Sequence, residues 1–245
     1  MRVVFLGTPD FAVPTLKAIA ASRHELAAVI AQPDRAKNRR GELLPTPVHA
    51  AAEALGVPFY AFDRLRDETG TLRTLSPDIM VTAAYGQILT QEILDIPPFG
   101  VINVHASLLP EYRGSSPIQW AIIDGKRETG VTIMQTERGL DTGDMLLAGR
   151  VPLTAETTGG SLHDALSVLG AELIVKVLRN IDRIKPEVQD DVLTCYAAKI
   201  DKAESRLDFS LPTAVLERKI RAFNPYPAAY FEYNGTKLKD LPDKF

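Results

Sequence analysis

The sequence holds a single cysteine, Cys195, and that excludes an internal disulfide. It also excludes a zinc site built on paired thiolates, and it suits a reducing compartment. Cys195 stands in "DVLTCYAAK" beside apolar residues, so an inert, partly buried thiol is expected. His24, His49 and His163 are scattered and no H-E-x-x-H occurs, so no metal is expected. No apolar run approaches the roughly 20 residues that span a bilayer. The N-terminal "MRVVFLGTPDF" lacks a small-residue cleavage site and runs straight into fold-like sequence, which predicts a cytoplasmic protein without a membrane partner. Phosphate-loop signatures are missing too. "GTPDFA" meets neither G-x-G-x-x-G nor G-x-x-x-x-G-K-[ST], and reads as a tight strand-to-helix turn. Ser107 lies beside His105 without a nucleophile-elbow context, so no serine triad is suggested. The formal net charge is only −3, so any contact with a polyanion must come from a local patch.

What is present is an ordinary globular composition, 45% hydrophobic and 24% charged, sufficient to bury a full core over 245 residues. Short apolar runs alternate with helical patterns. "RVVFLG", "LAAVIAQ", "VPFYAF", "DIMVTAAYG", "GVINVH" and "TGVTIMQ" read as strands, and a helix is expected from Asp10 through "DFAVPTLKAIAAS", with the Asp10 carboxylate as its cap. Further helices are expected over "PVHAAAEALG", "SPIQWAIIDG" and "SLHDALSVLGAELIVKVLRNI". Strands interleaved with helices predict an α/β fold with a mostly parallel sheet covered on both faces. The long helix closes this domain near residue 182, residues 183–210 read as a linker, and 211–245 read as a helix followed by a hairpin turning at Asn234-Gly235.

One strand is chemically unusual. In "GVINVHASLLPEYRGSSP" an apolar run contains Asn103 and ends in His105. Side chains alternate along a strand, so Asn103 and His105 point to the same face about 6.6 Å apart, with room for one small reacting group between them. Two hydrogen-bonded core polars would be the bland explanation. A pair aimed at a strand's carboxyl end, where open α/β sheets bind ligands, favours function. Downstream, "RGLDTGDMLL" sets Asp141 and Asp144 around a Thr-Gly turn, with Gly139 and Gly143 allowing tight backbone. Such turns are usually plain loops. A carboxylate is nonetheless what an asparagine–histidine pair lacks, since it can orient an imidazole and stabilise its charged form. Spacing alone does not bring Asp141 to His105.

"GTPDFA", "QPDR", "AYGQIL", "INVHASLLPEYRG", "ETGVTIMQ" and "GLDTGDM", in this order, resemble the methionyl-tRNA formyltransferase family, as do "RLDFS" and "IRAFNPYPAAYFE". The likeness runs to about Lys239. It implies a Rossmann-like formyltransferase domain with a mostly parallel sheet over 1–182, then a linker and a fragment of an OB-like β-barrel that holds tRNA. The implied reaction moves a formyl group from 10-formyltetrahydrofolate to methionyl-initiator tRNA. Asn103, His105 and Asp141 are then the catalytic set. Tyr85, Gly86, Gln87 and Ile88, with Ser107, Leu108, Leu109 and Pro110, would line the folate pocket. The residue types fit: formyl transfer passes through a tetrahedral oxyanion, to which an asparagine can donate, while an imidazole can manage the amine proton.

The resemblance also gives a meaning to the charged loop "QPDRAKNRRGELLPTPV". Arg35, Lys37, Arg39 and Arg40 would reach the tRNA acceptor stem, although by themselves they would read as a solvated loop. Here Ala36 replaces the family's proline, and Asn38 and Arg40 replace glycines. The barrel sequence stops within its first strands, which reads as a truncated member. Its hairpin, with Tyr230, Phe231 and Tyr233, would dock on its own body, be disordered, or self-associate with a second copy. Two alternatives stay open: formylation of an amino sugar or another small amine, and a folate-binding remnant with impaired turnover.

Overall fold

The computed structural model describes residues 1–35, 37 and 41–239. They divide into two compact units, the first built from 1–105, 131–148 and 167–189, the second from 106–130, 149–166 and 190–245.

The first unit is organised by a seven-stranded sheet of order β3-β2-β1-β4-β5-β7-β8. Its strands are β1 (Arg2–Gly7), β2 (Glu25–Ala31), β3 (Phe59–Ala61), β4 (Ile79–Ala83), β5 (Val101–His105), β7 (Glu128–Gln135) and β8 (Met145–Pro152). The first five lie parallel, and β7 runs antiparallel to β5. The sheet is thus mostly parallel, as the alternation of apolar runs and helices predicts. Every residue of β4 is buried, and so are five of the six in β1. That requires cover on both faces, which is why these strands read as unbroken apolar runs rather than alternating ones. On one face Val4, Leu6, Ile30, Met80 and Val101 join Leu65, Leu72, Leu75 and Ile93 in a single cluster. α6 (Gly159–Asn180) contributes Leu173, Ile174, Val177 and Leu178 to the core. A Cβ on Gly170 of this helix would stand 2.6 Å from Val104 Cγ1, so only glycine lets the helix approach β5 this closely.

The first helix begins later than the sequence suggests. Asp10–Ala12 form a 3-10 turn and α1 covers Val13–Ala20, with Pro14 in its first turn, where a missing N–H costs nothing. The Asp10 carboxylate accepts from the adjacent Phe11 N at 3.0 Å, at the start of the 3-10 turn.

In the second unit β6 (Arg113–Gly114) pairs in parallel with β9 (Tyr196–Ala197), and α5 (Pro117–Ile123) packs on α7 (Thr213–Ala222). Arg113 is buried and its guanidinium meets Asp191 at 2.8 Å. The Cys195 thiol accepts from Tyr112 N at 3.2 Å, a structural role. β10 (Tyr230–Tyr233) and β11 (Thr236–Lys239) form the expected antiparallel hairpin. Asn234 and Gly235 both have positive φ, 47° and 74°, the backbone that an Asn-Gly hairpin turn supplies with least strain. The hairpin docks on its own unit: Leu207 N donates to Tyr230 O at 2.7 Å, and Arg206 faces Glu232 at 3.7 Å. All four residues of β11 are exposed.

Candidate active site

The site is built on β5, whose period of two brings Asn103 and His105 to one face. Asn103 is half-buried and His105 is buried. Thr82 of β4 stands directly opposite Asn103 in the register. Its hydroxyl donates to Asn103 Oδ1 at 2.8 Å, closer than the alternative acceptor, Ile102 O, at 3.3 Å. This fixes the carboxamide with its oxygen toward β4, so its NH2 is the end that can meet a developing negative charge. Thr82 was not among the residues that the sequence singled out.

Asp141 reaches the same place by a loop. Residues 136–144 connect β7 to β8, and Gln135 N donates to Asp144 O at 2.8 Å where the loop closes. Asp141 Oδ2 then lies 3.7 Å from His105 Nδ1, an ion-pair distance when the imidazole carries its proton. The side chains are 6% and 17% exposed, so water screens the pair little. The sequence suggests that the glycines take the loop's unusual backbone. Instead Asp141 itself is left-handed, with φ +52°. Gly143 serves a different need, because a Cβ there would lie 2.0 Å from Gln135 O. Gln189 was also missed. It is buried, and its Nε2 donates to Asp141 O at 2.9 Å and to Gly143 O at 2.7 Å.

The segment Tyr85 to Ile88 follows β4. Tyr85 is buried, and its carbonyl accepts from Thr8 Oγ1 at 3.2 Å and Gln32 Nε2 at 3.0 Å. Burial pushes the Tyr85 hydroxyl well above the usual phenol range, so it stays neutral. Gly86 has φ +83°, and a Cβ there would press on Gln32 Nε2 at 2.5 Å. The Gln87 amide is engaged locally, donating to Phe62 O and accepting from Leu65 N, both at 2.8 Å. Ile88 is 90% exposed, an unusual position for a large aliphatic side chain. Ser107, Leu108, Leu109 and Pro110 belong to the second unit. There the Ser107 hydroxyl donates to Glu111 O at 2.6 Å, Leu109 is buried, and Leu109-Pro110 is cis.

Of the basic loop, Arg39 and Arg40 lie outside the described residues. Arg35 faces Asp63 at 3.2 Å with both side chains exposed, and Lys37 is exposed. The ends of the loop are tied together. Asp34 Oδ1 accepts from Thr46 N at 2.7 Å, while its Oδ2 lies 2.7 Å from His49 Nδ1. The His49 ring stacks on Phe59 with centroids 3.9 Å apart. His49 is therefore not an incidental histidine but part of the closure of this loop.

Known proteins resemble this chain in sequence and in fold. The formyl transferase family model matches residues 1–178, and that of the formyl transferase C-terminal domain matches 199–241. A methionyl-tRNA formyltransferase from Rhizorhabdus wittichii is 51% identical over 243 residues, which is 98% of this chain and 79% of the relative. One from Ruegeria pomeroyi is 47% identical over 246 residues, covering all of this chain and 82% of its own length. Among solved structures, a 4-N formyltransferase from Francisella tularensis superposes with a TM-score of 0.78 at 18% identity, over 98% of this chain and 96% of that one. HypX from Aquifex aeolicus in complex with tetrahydrofolic acid does so at 0.70 and 19%, over 98% of this chain and 37% of that one. The structural neighbours carry the fold, while the close relatives carry the lineage: this chain belongs to the methionyl-tRNA formyltransferase family of formyl transferases.

Proposed function

We propose that the chain transfers a formyl group from 10-formyltetrahydrofolate to the amino group of methionyl-initiator tRNA, in the cytoplasm. The observation that carries this reading is the grouping of an amide, an imidazole and a carboxylate on β5 and the 136–144 loop, in a chain whose close relatives bear that name.

The chemistry follows from these groups. The neutral α-amine attacks the formyl carbon, forming a C–N bond as the carbonyl electrons move onto oxygen. The Asn103 NH2 donates to that oxyanion, an interaction worth about 10²–10³ in rate at comparable sites. His105 takes the proton that the attacking nitrogen sheds, through Nε2, while Nδ1 faces Asp141. The oxyanion electrons then re-form the carbonyl, the bond to the folate nitrogen breaks, and that nitrogen leaves with the proton. Asp141 holds the ring orientation throughout.

Tyr85 to Ile88 and Ser107 to Pro110 are assigned to the folate donor, with Gly86 and Ile88 offering exposed backbone and apolar surface. Arg35, Lys37, Arg39 and Arg40 are assigned to acceptor-stem phosphates. Residues 1–182 are assigned to the catalytic domain, 183–210 to a linker and 211–245 to the tRNA-binding barrel. A second copy of the chain would pair along the exposed β11, which sedimentation at rising concentration tests.

The deciding experiment is formylation of charged initiator tRNA by the purified chain, alongside His105→Ala and Asn103→Ala. Each variant should lose most turnover while folate binding persists. Near-normal turnover in either one removes that residue from the chemistry, and an inactive wild type that formylates a small amine instead removes the tRNA reading.

A further inference from the structure

We propose that Gln189 is a positioning residue for Asp141, holding the catalytic carboxylate against His105 through the loop backbone. The inference rests on the reading of Asp141 as His105's orienting group.

Asp141 occupies left-handed backbone, φ +52°, which a non-glycine residue keeps only where its surroundings over-determine it. The 136–144 loop is closed at its base by Gln135 N donating to Asp144 O, but that bond does not fix the peptide at residue 141. Gln189 does. Its Nε2 gives one hydrogen to Asp141 O at 2.9 Å and the other to Gly143 O at 2.7 Å, the second of these bonds fully buried. A single NH2 thereby grips both sides of Thr142 and sets the rotation of the backbone that carries the Asp141 side chain.

Few side chains could replace it. Serine or threonine has one hydroxyl proton for two carbonyls, and asparagine is one methylene too short. Lysine would bring an unpaired charge to a position only 7% exposed. The placement of Gln189 is itself fixed. Two residues earlier, Glu187 and Met145 exchange both backbone hydrogen bonds at 2.8 Å, an antiparallel bridge that registers the 187–189 segment on the start of β8. A chain segment 48 residues from Asp141 in sequence is therefore clamped beside the loop and presents an amide to its curved part.

The test compares Gln189→Met, similar in length but unable to donate, and Gln189→Glu, similar in shape but unable to donate while ionised. Controls are Asp141→Asn and the double variant of Gln189→Met with Asp141→Asn. Turnover is normalised to sites titrated with folinic acid, so a poorly folding preparation does not pass for a slow enzyme. The expected result is kcat per site lowered about 10- to 100-fold in both Gln189 variants, with KM for 10-formyltetrahydrofolate within about twofold of wild type. The double variant should be no slower than Asp141→Asn alone, because two changes acting through one group do not add. Wild-type kcat per site in Gln189→Met beside an impaired Asp141→Asn overturns the inference alone, as do losses that multiply in the double variant. Full turnover of Asp141→Asn removes the reading beneath it, and the inference with it.

Discussion

Thr82 and Asn103 face each other across β4 and β5, and the threonine hydroxyl donates to the asparagine carboxamide oxygen at 2.8 Å. The bond decides which end of a nearly symmetric group points away from β4, and in the proposed mechanism that end is the one offered to the substrate. Without it, the Asn103 amide can rotate and present oxygen where a negative charge develops. Thr82→Val keeps the shape and removes the donor. A neutral hydrogen bond contributes a net ~0.5–1.5 kcal/mol, so kcat should fall roughly 2- to 12-fold, with donor KM little changed. Asn103→Ala should lose about 10²–10³. Steady-state kinetics of the two variants side by side make the check, and full turnover in Thr82→Val would show that Asn103 needs no partner to hold its orientation.

Much of this architecture is legible in the sequence because burial leaves a periodic trace. β1 and β4 are apolar end to end since both faces are covered, and Asn103 and His105 break such a run at a spacing of two, which places them on one face. The Asn-Gly hairpin is legible for a local reason, the φ that its turn demands. Contacts made across long sequence separations leave no such trace. Thr82, Asp34 and Gln189 act through hydrogen bonds to residues between 12 and 48 positions away, and each looks unremarkable in its own stretch. The place of Asp141 beside His105 is legible only by family resemblance, because no spacing rule says that a nine-residue loop folds back to the end of β5. The left-handed backbone of Asp141 runs against expectation for the same reason: glycine is the default for positive φ, and here glycine was needed for close approach instead.

His24 should make folding sensitive to acid. It is buried, and neither ring nitrogen has a hydrogen-bond partner among the described residues. Burial lowers its pKa, helped by the positive charges of the N-terminus, Arg23 and Arg179. In the unfolded chain the imidazole takes a proton near pH 6.5, whereas in the folded protein it resists until lower pH. The unfolded state therefore binds more protons as pH falls, so this contribution to stability is complete above about pH 6.5 and declines below it. His24→Leu removes the titration and the unpartnered nitrogens together. Its melting temperature should fall less than that of the wild type between pH 7.5 and 5.5, and parallel curves for the two proteins would exclude the effect.

Asp34 should control the basic loop without touching tRNA. Its carboxylate joins residue 46 to residue 34 and also faces His49, so Asp34→Ala opens both ties at once. A hydrogen bond to a charged acceptor contributes ~1.5–3 kcal/mol, which predicts amide exchange at Thr46 accelerated by at least about tenfold. The KM for methionyl-tRNA should rise several-fold while that for the folate donor stays put. Hydrogen exchange followed by mass spectrometry reads the first effect. An unchanged Thr46 amide would mean that the loop ends are held by other contacts.

The basic residues themselves separate tRNA from a small amine as the acceptor. If Lys37, Arg39 and Arg40 meet acceptor-stem phosphates, neutralising all three removes up to three charge contacts. The log–log salt dependence of tRNA binding should then flatten by up to about three units. Folate binding should stay unchanged, because the loop enters the reaction only through the polyanion. Arg39→Ala should cost more than Lys37→Ala, since a planar guanidinium can bind phosphate in a bidentate way that an ammonium cannot. Arg35 contributes less, because it already faces Asp63 on an exposed surface where such pairs are worth little but still compete. The measurement is kcat/KM for methionyl-tRNA at several salt concentrations, wild type against the triple variant. Equal values and equal slopes would make the loop a solvated surface, and would return the small-amine acceptor as the better account of this site.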